Sequence, residues 1–317
     1  MRLFAALLLL AAPPTPARAV RAEVLPGGVQ ADRRVDRRAA PKVGAESGVR
    51  AGAGGDTLRV LTLNLWHDQR DWPARFALLV DEARRLRPDV LLLQEVLQHE
   101  RLENQAQALA RALGLPHVHF VSADSAHRVR RYGNAIVSRL PFDTTAAVRL
   151  RPLDQYRTAA FARVRVGGQP VRLYTTHLHH EADAAGGGIR AMQLHHLLAS
   201  AGETGPHDAP LVLGGDFNAA PDAPELRLLA PLRDVAAAFG AAAATWGEAY
   251  AQGTPRRIDY VWDGRHPRLV PVGAALAMHR ADAVGRWPSD HFGVFATFVV
   301  PRARASPHAP RRSHAPR

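Results

Sequence analysis

The sequence of 317 residues contains no cysteine. That excludes disulfides, thiol nucleophiles, iron–sulfur clusters and thiolate zinc sites, and it leaves the compartment open, because exported proteins need not carry bridges. Lysine is almost as scarce: of 41 basic residues, all but Lys42 are arginine. Aromatic residues make up only 6%, and no membrane-contacting cluster of them stands out. Long apolar runs are missing too. The stretch Leu3 to Ala12 is half of the roughly 20 residues a spanning helix needs, and no later segment is longer. What is present, 47% hydrophobic and 22% charged residues, is a globular balance that excludes a wholly disordered or fibrous chain.

The formal charge of +12 would point to a nucleic-acid or membrane partner if it were spread over the domain. It is not. Residues 1–19 carry +2, residues 20–55 carry +3 and residues 302–317 carry +5, so residues 56–301 keep only +2. Met1-Arg2, the apolar run and an Ala-x-Ala site ending at Ala19 form a three-part leader pattern. A signal peptide over 1–19, and hence a secreted or periplasmic protein, is the expectation. Residues 20–55 read as an Ala/Gly/Arg-rich disordered linker and 302–317 as a basic disordered tail, flanking one domain over 56–301. No transmembrane segment and a monomer are expected.

Within that domain, apolar strands alternate with helical segments. Leu58 to Asn64 alternates with period two, and Phe76, Leu79, Val80 and Ala83 lie on one helical stripe over Pro73 to Leu86. Asp89 to Val96 follows as a buried strand. Further strands are expected at 135–138, 161–166, 171–176, 211–214, 258–262 and 291–299, with helices at 100–113 and 189–200. Many strands and few helices imply two packed sheets with helices outside.

Polar clusters close several of these strands: Asn64, Gln94-Glu95, His177, Asp216-Phe217-Asn218, and Asp259 with Ser289-Asp290-His291. A polar group ending an apolar strand is costly to bury without partners, so these side chains are expected to meet around a cation. Leu61-Thr62-Leu63-Asn64, Pro88 to Val96, Gly133-Asn134-Ala135-Ile136-Val137-Ser138-Arg139, Thr176-His177-Leu178, Gly214-Gly215-Asp216-Phe217-Asn218, Arg257-Ile258-Asp259-Tyr260-Val261 and Ser289-Asp290-His291 resemble, in order, the strings of the endonuclease/exonuclease/phosphatase superfamily. The resemblance implies a four-layer α/β sandwich, two packed mixed β-sheets flanked by helices, and metal-dependent phosphoester hydrolysis.

It also distributes roles. Glu95 is a hard oxygen ligand suited to Mg²⁺, with Mn²⁺ or Ca²⁺ as alternatives, and by resemblance Asn64 helps hold that ion, with Asp290 assisting metal or water. Asp259 would orient His291, while Asp216 and Asn218 would hold the attacking water and a phosphate oxygen. Whether Asp216 or His291 receives the proton is open. His177, as imidazolium, would donate to the phosphate or the leaving group. Asn134 resembles the residue that contacts substrate or braces the site, and Arg157 and Arg190 are candidates for phosphate binding. One departure stands out: Leu65-Trp66 follows Asn64 where abasic-site nucleases of the family carry a carboxylate, and Asp68 is displaced.

A zinc hydrolase reading of His177 to Asp183 fails on spacing, and His179 and His180 read as exposed rim residues. An exported binding module that adheres to anionic surfaces has no need of a base, an orienting acid and a metal ligand together. The expected partner is a phosphoester: nucleic acid, a phospholipid head group or a small phosphate ester. The activity this implies is a nuclease- or sphingomyelinase-like phosphodiesterase, with a phosphomonoesterase as alternative. The basic stretch Ser122 to Tyr132 is a candidate groove lining.

Overall fold

A computed structural model describes residues 55–203 and 209–301 of the chain. The expected leader, the basic tail and all but the last residue of the expected linker lie outside the described residues; that last residue, Gly55, opens the first strand. Strand β1 (Gly55–Asn64), helix α1 (Trp72–Leu86) and strand β2 (Val90–Gln98) form a parallel crossover, in register from Val60↔Val90 to Asn64↔Gln94. The helix starts where the local chemistry dictates. The Asp71 carboxylate caps it by accepting from Ala74 N at 3.2 Å, Pro73 occupies its first turn, and Arg87 ends it in the left-handed conformation before Pro88.

Helix α2 (Gln105–Leu113) begins five residues after Glu100, because Asn104 Oδ1 accepts from Ala106 N and Gln107 N, an N-cap that stops the helix from extending backwards. Strands β3 (His117–Ser122) and β4 (Arg131–Ser138) complete one side of the first sheet, and β11 (Val270–Ala277) and β12 (Gly293–Pro301) the other. Its order is β11-β12-β1-β2-β4-β3. The second sheet, β5-β6-β7-β8-β10-β9, uses β5 (Thr144–Arg149), β6 (Thr158–Val166), β7 (Gln169–His177), β8 (Leu211–Asp216), β9 (Arg233–Asp234) and β10 (Asp259–Asp263). Here the parallel pair β7 and β8 is joined through helix α3 (Ala184–Glu203), which is longer than the expected 189–200. A short helix α4 (Val235–Ala238) follows β9.

Period-two alternation builds the layers. Leu58 and Val60 face the inner core with Leu92, Leu173, Val212, Val261 and Phe298, whereas Leu61 and Leu63 face outward onto Leu79, Val80 and Leu109 of α1 and α2. On the far side Leu194 and Leu197 of α3 pack on Phe161, Tyr174 and Leu213. The result is the expected four-layer sandwich of two six-stranded mixed sheets flanked by helices. Sheet pairing also gathers the strand ends. Asn64, His177 and Asp216 end β1, β7 and β8, Asp259 begins the antiparallel β10, and His291 precedes β12, which runs antiparallel to β1.

Among the described residues no helix is long and apolar enough to cross a membrane.

Candidate active site

Register across the second sheet sets one row: His177 pairs with Asp216, and Asp216 with Asp259. Close approach of β7 and β8 there depends on Gly215, whose φ is 151° and whose added Cβ would lie 2.1 Å from the Thr176 carbonyl oxygen. The Asp216 Oδ2 atom is the hub. Asn64 Nδ2 donates to it at 3.0 Å, and His177 Nε2 and His291 Nε2 stand 3.4 and 3.8 Å away. The other Asp216 oxygen accepts from Asn218 N at 2.9 Å; Asn218 sits at φ 50° and gives its Nδ2 to Leu178 O.

His291 Nδ1 lies 2.9 Å from Asp259 Oδ2, and both side chains are buried. Asp259 N and Ile258 N in turn donate to Thr245 Oγ1, and Phe292 N to Thr245 O, so one threonine braces both members of the pair. Burial by itself would push His291 down, but Asp259 and Asp216 outweigh it and raise the imidazole to about 10. Burial and the Asp259 charge push Asp216 upward. Asp216, Asp259 and His291 present ligand atoms within 4.8 Å of one another. The short His291–Asp259 hydrogen bond reads better as an imidazole oriented by a carboxylate than as a cation cage.

Glu95 occupies a position unlike the others. It does not close β2 but lies in a bulge within it, where the register with β4 shifts between Leu93 and Val96 and Glu95 adopts φ 54°. Such a bulge re-aims one side chain at a site, at a cost in local strain. Tyr132 neighbours Glu95, and burial together with the Glu95 charge raises its phenol. Asp290 is pushed up by burial, against the pull of His291 and with further repulsion from Glu95 and Asp259. A carboxyl group raised beside other carboxylates fits a divalent cation, and the hard oxygens of Glu95, Asp290 and Asn64 are a suitable donor set. Asn64 Oδ1 accepts from Trp66 N at 2.9 Å and keeps a second lone pair.

The remaining expectations divide. Arg157 is half-buried at the rim, 3.4 Å from His180 Nδ1, with its charge acting on both His177 and Tyr132. Asn134 is buried and bridges the sheets by donating to Thr158 O at 2.8 Å, a bracing role rather than an open contact. Arg190 is not in the site: it is buried and paired with Glu225 at 2.7 Å, because a guanidinium inside the protein needs a carboxylate partner. His177 is not an imidazolium donor. Burial, Arg157, His291 and His180 all hold it well below the ordinary value, so it is neutral. His179 is buried rather than on the rim, while His180 is exposed. Gln94 is also buried, linking Thr62 to Thr175 across the sheets. Of the basic stretch 122–132, Arg128 and Arg130 are exposed, whereas Arg131 and Tyr132 belong to β4.

Sequence reasoning missed Tyr132, Thr245 and Arg75. Tyr132 was detectable, since it lies two residues before Asn134 and therefore on the same strand face. Arg75 and Thr245 carry no local signal.

The sequence matches the Endonuclease/Exonuclease/phosphatase family over residues 61–306. No curated protein matches it. Among solved structures the fold is similar to TDP2 from D. rerio complexed with single strand DNA product, at 23% identity and TM-score 0.63, covering 76% of this chain and 98% of that one. It is similar to an endonuclease/exonuclease/phosphatase from Beutenbergia cavernae at 24% identity and TM-score 0.61, covering 78% and 72% of the two chains. One from Bacteroides vulgatus aligns at 17% identity and TM-score 0.64, covering 77% and 99%. With two mixed sheets and a family match over most of its length, the chain belongs to the endonuclease/exonuclease/phosphatase family of phosphoester hydrolases.

Proposed function

We propose that the protein is a metal-dependent phosphodiesterase in which an activated water attacks phosphorus, with nucleic acid as the first substrate class. The observation that carries the reading is the convergence of Asn64, His177 and His291 nitrogens on one oxygen of Asp216, beside Glu95. Glu95, Asp290 and Asn64 would hold the cation, which when bound neutralises charge on the phosphoryl group and the departing oxygen. The rest is the work of the chain's own groups. Asp216 and the Asn218 amide hold the water, Asp259 keeps the Nδ1 proton of His291 in place, and the His291–Asp216 pair receives the proton of the attacking water. Neutral His177 donates from Nε2 and Arg157 approaches the phosphate from the rim.

Nucleic acid is favoured over a phospholipid head group or a small phosphate ester because the D. rerio TDP2 relative, of the same fold, was solved with a DNA product. Turnover of plasmid DNA, sphingomyelin and a sugar phosphate, each with Mg²⁺, is the test. DNA is expected to be cleaved, and Glu95→Gln to lower the rate at least about a hundredfold. Full activity in that variant would sink the reading. The leader pattern of residues 1–19 places the enzyme outside the cytoplasm in the same proposal. Sequencing the protein recovered from its source should give a start near Val20, and a retained Met1 overturns export.

A further inference from the structure

Beside Glu95 lies a second set of titratable groups that the preceding scheme does not use. His67 Nε2 is 3.9 Å from Glu95 Oε2. The other ring nitrogen of His67 is 3.1 Å from Asp68 Oδ1, and Asp68 Oδ2 is 3.2 Å from His99 Nε2. Lying between two imidazole rings, the Asp68 carboxylate accepts from both. A proton therefore sits on His67 Nδ1, and Nε2 turns a lone pair toward Glu95. Carboxylate behind imidazole, with the far nitrogen free, is the arrangement by which proteins orient a histidine metal ligand.

The backbone supports the same aim. Trp66 and His67 have φ 53° and 30°, a conformation that non-glycine residues hold only when their surroundings enforce it. Those surroundings are buried donors: Arg75 and Gln105 both donate to His67 O, at 2.7 and 2.8 Å. The side chain is 26% exposed, so the ring is reachable from solvent. On the other side of the same carboxylate, His177 Nδ1 is 4.0 Å from Glu95 Oε1 and is buried with no hydrogen-bond partner. Two imidazole lone pairs facing two carboxylate oxygens repel, and a cation among them reverses the sign.

Resting on the metal-dependent reading above, we infer that the ion at Glu95 is bound by nitrogen as well as oxygen, with His67 as its imidazole ligand. Bonds of about 2.0–2.2 Å from one ion to each atom span the His67–Glu95 gap. Nitrogen ligation shifts the preference from Mg²⁺ toward Mn²⁺ and later transition ions, since imidazole suits those better than Mg²⁺.

Binding of Mn²⁺ and Mg²⁺ to the full-length protein, with pulsed electron paramagnetic resonance of the Mn²⁺-loaded form, tests this without any substrate. Expected are a ¹⁴N coupling in the wild type, its loss in His67→Gln and in His67→Asn, and Mn²⁺ affinity weakened about 10–100-fold with Mg²⁺ affinity changed far less. Asp68→Asn should weaken Mn²⁺ about tenfold through the same histidine. No nitrogen coupling in the wild type overturns the inference, as does a coupling lost in His177→Gln but kept in both His67 variants. Glu95→Gln separates the two levels. If it abolishes binding of both ions while the His67 variants bind normally, only the nitrogen ligand falls; if it leaves binding intact, the Glu95 metal site falls too.

Discussion

Replacing His291 with glutamine is expected to lower phosphodiester turnover by about 10²–10⁴-fold in a protein that still folds. The imidazole is the only group in the row that touches both carboxylates: Nδ1 meets Asp259 at 2.9 Å and Nε2 faces Asp216 at 3.8 Å. Glutamine can hydrogen-bond to Asp259 but cannot take up a proton, so the loss should fall on kcat rather than KM. A pH scan of stability in the metal-free protein provides a second readout. His291 is raised to about 10 by Asp259 and Asp216 against its burial. Because the folded value lies above the unfolded one of about 6.5, its stabilisation is complete below about 6.5 and is lost as pH rises through about 10. The wild-type melting temperature should therefore decline over that interval, and His291→Gln should lack this component. Equal turnover in the two proteins, or the same alkaline decline in both, would remove His291 from its assigned place.

The largest effect on stability is expected from Arg75→Leu. Arg75 is wholly buried, yet among the described residues no carboxylate forms an ion pair with it. Its guanidinium instead donates to Leu65 O at 2.8 Å, Trp66 O at 3.2 Å, His67 O at 2.7 Å, Gln69 O at 3.0 Å and Pro288 O at 3.0 Å, between the rings of Trp66 and Trp72. Burial lowers it to about 10, offset in part by Tyr250 and by the acidic groups Asp290, Asp68 and Glu95, so it is charged at neutral pH. Leucine would leave the Leu65, Gln69 and Pro288 carbonyls without this donor, while Gln105 Nε2 still serves His67 O and Gln69 N still serves Trp66 O. At roughly 1–3 kcal/mol for each buried group left unsatisfied, and with water reaching some of them, a loss of about 4–5 kcal/mol follows. For a domain of this size that is a drop of about 10–20 °C in Tm. Lysine, with three donors on a point charge, should recover only part of it. A change in Tm below about 3 °C for Arg75→Leu would show that the carbonyls find other partners. The same residue ties the segment after Asn64 to the Pro288 carbonyl ahead of Ser289-Asp290-His291, and Ser289 Oγ reinforces the link by donating to Asn64 O at 2.7 Å. Loss of stability should therefore be accompanied by loss of site order.

The interior of the fold was legible in the chain because central strands bury both faces or alternate cleanly. The strands that escaped notice, β3, β5, β9 and β11, are the four sheet edges. β5 shows why: four of its six residues are exposed and the other two half-buried, so Thr144 to Arg149 has no apolar repeat to betray it. Asn64, Glu95, His177, Asp216, Asn218, Asp259 and His291 were identifiable from their strings, since a polar group ending an apolar run has few structural uses.

Sequence alone determined which side chains stand as candidates for the chemistry and that two sheets would present them, because residue type and period are local properties. Tertiary structure alone decided their partners. Pairing register put His177, Asp216 and Asp259 in one row, a bulge and not a strand end turned Glu95 into the pocket, and Glu225 drew Arg190 away from it. Register, bulge and ion pair each join residues far apart in the chain, and such distances are set by packing, which no local pattern encodes.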